Sequence, residues 1–161
     1  MNIIIPTDFS ITTLAAIQKS IEVHSSNPDL KIILVHGYQL SDSITDLLFH
    51  TKSALMERVI PTDFKESLEV IKNNSPMIQQ VEVEFFHGWT KRGFKQLCDR
   101  LKVDQIVIPS NEPFKAKSRS SFDLRPFCKV IQLQVDDLNL AADNRMDMNC
   151  VSGLIFNELQ R

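Results

Sequence analysis

The sequence predicts an α/β sandwich, a single domain in which a parallel sheet is covered by helices on both faces. Two observations carry this. Ile3, Ile4 and Ile5 make a short β-branched run, too short for a helix and apolar toward both sides, which suits a strand buried on both faces. After the polar turn Pro6-Thr7-Asp8-Phe9, Ser10 stands at an N-cap position and Leu14, Ile17 and Ile21 recur at helical spacing. Strand, polar turn and helix open such a fold, and the crevice at the carboxyl end of the first strand is where its ligands usually sit, so topology places Thr7 and Asp8 at the expected site.

The remaining elements follow in order. Asn27, Pro28 and Asp29 form a turn, and Ile32, Ile33, Leu34 and Val35 a second buried strand that ends at His36 and Gly37. Ile44, Leu47, Leu48, Leu55 and Val59 predict a helix over residues 41–60, started by a serine cap and ended by Pro61. Thr62 caps another, carrying Phe64, Leu68 and Ile71 and closed by Asn73, Asn74, Ser75 and Pro76, so the crossover is two helices or one broken one. Residues 60–64 repeat the letters of residues 5–9, but the second copy lies in a helical pattern and nothing further repeats, which argues against a duplicated half-domain.

Val81, Val83 and Phe85 alternate with Glu82 and Glu84, a strand with one wet face at or near the sheet edge, closed by His87, Gly88 and Trp89. Thr90 caps a helix with Phe94, Leu97, Cys98 and Leu101 on one face. Gln105, Ile106, Val107 and Ile108 form a fourth strand and residues 130–135 a fifth, with no clear long helix between them. From Asp136 the chain turns acidic and polar, and Val151, Leu154, Ile155 and Leu159 suggest a short amphipathic helix. The division is therefore an α/β domain over residues 1–135 and a tail over 136–161.

A chain of 161 residues, 43% hydrophobic and 24% charged, fits one domain with a sizeable core. Its net charge of -2 gives no general reason to expect nucleic-acid binding, so any anion site is local. No apolar run approaches 20 residues and no signal-peptide pattern opens the chain, so a cytoplasmic protein without membrane partners is expected. Cys98, Cys128 and Cys150 are far apart and lack the paired spacing of a zinc or dithiol site, which makes reduced, structural thiols the expectation.

The opening residues 3–10, an isoleucine strand ending in proline, a small residue and aspartate before a serine-capped helix, resemble the universal stress protein family, and the second strand's end at His36 matches it too. By order and spacing of elements the resemblance covers about the first 135 residues. It implies a doubly wound, five-stranded parallel sheet of flavodoxin-like order 3-2-1-4-5, with the first strand central and every crossover right-handed. It also implies that Asp8 lies where the family's aspartate meets an adenine base. In the family's nucleotide-binding branch the turn after strand four carries glycines whose amides approach the phosphates. Here Pro109, Glu112, Phe122 and Asp123 stand near those places, and none of the glycines, Gly37, Gly88, Gly93 and Gly153, lies between strands four and five. ATP binding in the family manner is therefore not expected, and Asp8 has a second role available as a cap of the turn or first helix.

A substitute anion site would draw on side chains. Lys115, Lys117 and Arg119 alternate with Ser118, Ser120 and Ser121, and the candidate ligand residues are Thr7, Asp8, Gly37 and Ser110 with Lys115, Lys117 and Arg119. The loop lacks an interleaved aromatic pattern, so no nucleic acid is expected there. His36 and His87 end strands two and three and could meet Asp8 along one sheet edge, but their spacing matches no metal motif, and no metal is assigned; His24 and His50 read as helix-surface residues. No nucleophile elbow, thiol–histidine pattern or dinucleotide fingerprint appears, so no catalytic residue is assigned and an enzyme is not expected.

The resemblance implies a non-catalytic, stress-response interaction module that acts without a cofactor. Dimerisation is expected through the last strand and tail, where Val130, Ile131, Leu133 and Val135 supply apolar surface, with an unidentified protein as further partner. The alternative is a sensor that binds AMP, ATP or another phosphorylated ligand in the crevice beside Asp8.

Overall fold

The computed structural model describes residues 1–43, 51–75, 78–109, 113–129, 131 and 133–138. In chain order the elements are β1 (Asn2–Pro6), α1 (Ile11–Val23), β2 (Leu30–Tyr38), α2 (Lys52–Val59), α3 (Thr62–Asn74), β3 (Ile78–Phe86), α4 (Lys91–Arg100), β4 (Gln105–Pro109), β5 (Ser121–Phe122), α5 (Arg125–Cys128) and β6 (Gln134–Leu138). The sheet runs β3-β2-β1-β4-β6 with every pair parallel, and β5 adds a short antiparallel strand beside β2. β1 is central, as its run of isoleucines requires: Ile3, Ile4 and Ile5 are all fully buried.

Successive side chains of a strand point to opposite faces, and the core divides accordingly. Ile3, Ile5, Ile32 and Leu34 face Leu14 and Ile17 of α1 and Phe64, Leu68 and Ile71 of α3. Ile4, Ile33, Val35, Ile106 and Ile108 face Phe94, Leu97 and Cys98 of α4 and Cys128 of α5. β3 is the edge strand its alternation predicts. Val83 and Phe85 join the core, while Glu82 and Glu84 pair with Lys31 (2.9 Å) and Lys52 (2.8 Å).

Several boundaries differ from the sequence expectation. The last large strand begins at Gln134 rather than 130, since α5 runs to Cys128 and the chain bends at Ile131 and Leu133 before it. It also runs past the boundary drawn at 135, since Asp136 pairs with Val107 in the ladder and its carboxylate accepts from the Gln105 amide. Within the expected crossover helix, α2 runs from Lys52 with Thr51 capping it by accepting from the Ala54 N–H (3.2 Å), while the stretch with Ile44, Leu47 and Leu48 lies outside the described residues. Pro61, not Thr62, holds the N-cap position of α3, and Ser10 precedes α1 with its hydroxyl turned to Thr12 Oγ1 (2.7 Å) instead of a backbone amide. Thr90 does cap α4, through the Gly93 N–H (3.1 Å). The repeated letters take two forms, a strand end and a helix start, and their phenylalanines, Phe9 and Phe64, pack edge to face at 5.4 Å. The tail helix, Cys150 and His50 lie outside the described residues. Cys98 and Cys128 are buried free thiols; burial pushes Cys98 up to about 11 and Cys128 higher still. Among the described residues no helix is long and apolar enough to cross a membrane.

Candidate functional site

The carboxyl ends of β1, β2 and β4 form one crevice, and β1 delivers Thr7 and Asp8 to it. Thr7 is buried, tied to β2 by its N–H to the Val35 carbonyl (2.9 Å), with Oγ1 accepting from the Phe9 N–H (2.8 Å) and lying 3.1 Å from Thr13 Oγ1. This local closure sets Phe9 at φ 55°, a left-handed conformation that costs a non-glycine residue about 1–3 kcal/mol. The turn is sustained by what it places: the Phe9 ring is buried against Phe64 and 4.9 Å from the His36 ring.

Asp8 is half-buried and uses both carboxylate oxygens on the backbone. Oδ1 accepts from the Ser10 N–H (3.1 Å), which fixes the turn into α1, and Oδ2 accepts from the Lys115 N–H (3.0 Å), which clasps the loop after β4. His36 is fully buried between them. Its Nδ1–H donates to the Thr7 carbonyl (2.8 Å), so Nε2 accepts from the Ser121 hydroxyl (2.9 Å), which lies 3.1 Å from Ser118 Oγ. Burial holds the His36 pKa below its usual value despite the Thr7 carbonyl and the Asp8 charge, and Lys117 adds to the lowering. Phe114 covers the imidazole, stacked at 6.2 Å and 25°.

The chain after β4 thus folds back onto its own crevice. Between Pro6, Thr13, Pro109, Phe114 and Leu124 a cavity of about 20 Å³ remains, room for about one water molecule. Its charged wall is engaged as well: Asp123 grips Arg125 with two oxygens, to Nε at 2.9 Å and to Nη2 at 2.7 Å, and this pairing raises the Arg125 pKa.

Thr7 and Asp8 therefore come together, with His36 beside them. Gly37 faces elsewhere: β5 crosses it so closely that a Cβ there would lie 2.5 Å from the Phe122 carbonyl oxygen and 2.9 Å from its ring. Lys115, Lys117 and Arg119 are exposed on the covering loop, and Ser110 lies outside the described residues. His87 belongs to a different cluster, its Nδ1–H donating to the Tyr38 carbonyl (2.7 Å) and its ring stacked on Phe85. Among the described residues no three His, Cys, Asp or Glu side chains gather as a metal site. Sequence reasoning missed Phe114, Asp123 and the Ser121 hydroxyl as site residues because they reach the crevice from the segment after β4, which has no periodicity to read, and missed Thr13 because a threonine in the first turn of α1 looks like any other helix residue.

No protein-family model and no curated protein matches this sequence. Solved structures do. The universal stress protein UspA from Lactobacillus plantarum is 16% identical with a TM-score of 0.51, over 84% of this chain and 94% of that one. A universal stress protein family member from Burkholderia pseudomallei is 11% identical (TM-score 0.48; 85% and 94% covered), and one from Arabidopsis thaliana with AMP bound is 19% identical (TM-score 0.45; 84% and 88% covered). At these identities the likeness is one of fold, and the fold of this chain is that of the universal stress proteins.

Proposed function

We propose that this protein is a non-catalytic interaction module built on the universal-stress-protein fold, acting in stress response and self-associating, with its nucleotide crevice filled by its own chain. The observation that supports this is the closed crevice: Phe114 stacks on His36, and the Lys115 N–H is held by Asp8. Ligand pockets run to about 300–1,000 Å³, so a nucleotide enters only if this loop leaves. No glycine lies between β4 and β6, where the phosphate-cradling ones would stand. Self-association is assigned to β6, the end strand of the path, with its own Val135 and the preceding Ile131 and Leu133 only partly buried.

A second reading is favoured by one observation: the loop that covers the crevice carries Lys115, Lys117 and Arg119 exposed, where they would meet phosphates if it swung out. That is a sensor for AMP, ATP or another phosphorylated ligand. Calorimetric titration with ATP separates the two. The module gives no heat and an unchanged melting temperature at millimolar ATP. The sensor gives micromolar binding that Asp8→Ala and Lys117→Ala weaken, and a stabilisation of about 2.7 kcal/mol at 100 times its dissociation constant.

A further inference from the structure

We propose that the surface around Trp89 is a binding site for short single-stranded nucleic acid, separate from the crevice. Trp89 is the chain's only tryptophan and is 60% exposed, yet it is a built feature. Its ring lies flat on Phe122, at 5.2 Å and 16°. Phe122 in turn is packed by Phe86 and Phe127, which reach the buried Phe94. Two glycines make room for this stack. A Cβ at Gly88 would lie 2.6 Å from the Phe86 ring, and one at Gly37 would strike Phe122. The indole is therefore backed by a rigid aromatic column and open to solvent, a platform for a planar group.

The charges around it select the planar group. Lys91 and Arg92 follow Trp89 and are exposed; Lys117 and Arg119, also exposed, precede Phe122. The neighbouring acid Asp123 is occupied by Arg125. A ring whose neighbours in sequence, and those of its stacking partner Phe122, are exposed cations suits a ligand that carries negative charge beside a flat π-face. A nucleobase with its phosphate meets both demands, and only an unpaired, unstacked base offers a free face, so the strand is single. The net charge of -2 is a property of the whole chain and does not fix the local charge at this surface; Glu82 and Glu84 of the edge strand are already paired with lysines. The basic loop and Trp89 are about thirty residues apart in sequence, and β5 is what brings their aromatic stack together.

The test uses the full chain and a labelled oligouridylate of about eight nucleotides, read by anisotropy and by Trp89 emission in about 50 mM salt. Expected are quenching of the emission, binding that falls as salt rises, and a loss of about ten-fold or more in Trp89→Ala with an unchanged melting temperature. Trp89→Phe retains most of the affinity. Arg92→Gln and Arg119→Gln each flatten the plot of log affinity against log salt by about 0.7. No quenching, or binding that Trp89→Ala leaves intact, overturns the proposal. So does quenching by an oligoglutamate peptide with none by the oligonucleotide, which would assign the surface to an acidic protein segment.

Discussion

Asp8 and His36 hold the crevice shut by different means. The Asp8 oxygens are taken by two backbone amides, so the cap role that its residue type suggests is present, with a second amide from a distant loop added. His36 is buried and neutral, with its pKa held below the ordinary 6.5. The unfolded chain binds a proton there first as pH falls, so stability is full above about pH 6.5 and is lost toward the lower folded-state pKa. The urea midpoint is expected to drop between about pH 7.5 and about pH 5.5, and to drop less in His36→Phe than in the parent. Thr7 and Asp8 were legible as crevice residues because a continuous apolar run ends at them. Gly37 was not legible as a packing position, since the group that needs its missing Cβ, Phe122, arrives from a strand some 85 residues further along.

Among the elements, the loop of residues 113–120 and β5 act as one cover, fastened at Lys115 to Asp8 and at Ser121 to His36, with Gln39 N–H bonded to the Ser120 carbonyl (2.7 Å). The cover carries Lys115, Lys117 and Arg119, all exposed, so trypsin can report on how tightly it is fastened. Asp8→Ala removes one fastening, and limited digestion is expected to cut this loop several-fold faster than in the parent, with cleavage elsewhere unchanged. Equal rates would place the hold at His36 and Phe114 instead. The long strands were readable from apolar runs or from alternation, and α1, α3 and α4 from their spacing, whereas the four-residue α5 left no periodic signal. A two-residue strand has no pattern of its own; β5 exists because β2 offers it an edge beyond Gly37, a tertiary fact. The start of β6 shifted for a related reason, as the β4 ladder and the Gln105–Asp136 hydrogen bond outweigh the apolar letters before it.

At the scale of the whole molecule, β6 ends the sheet path opposite β3 and carries the proposed contact between copies. Size-exclusion chromatography with light scattering is expected to give a dimer at micromolar concentration; a monomer alone would remove that part of the proposal. The central position of β1 has another consequence, in time. Ile3 finds its partner Ile32 on one side within thirty residues, but on the other side it pairs with Gln105. At about 5–20 residues per second, a ribosome needs about 5–20 s to make the intervening hundred residues. For those seconds the most apolar strand of the protein has an open edge, and the nascent chain is at its most prone to pair with a neighbour on the same message.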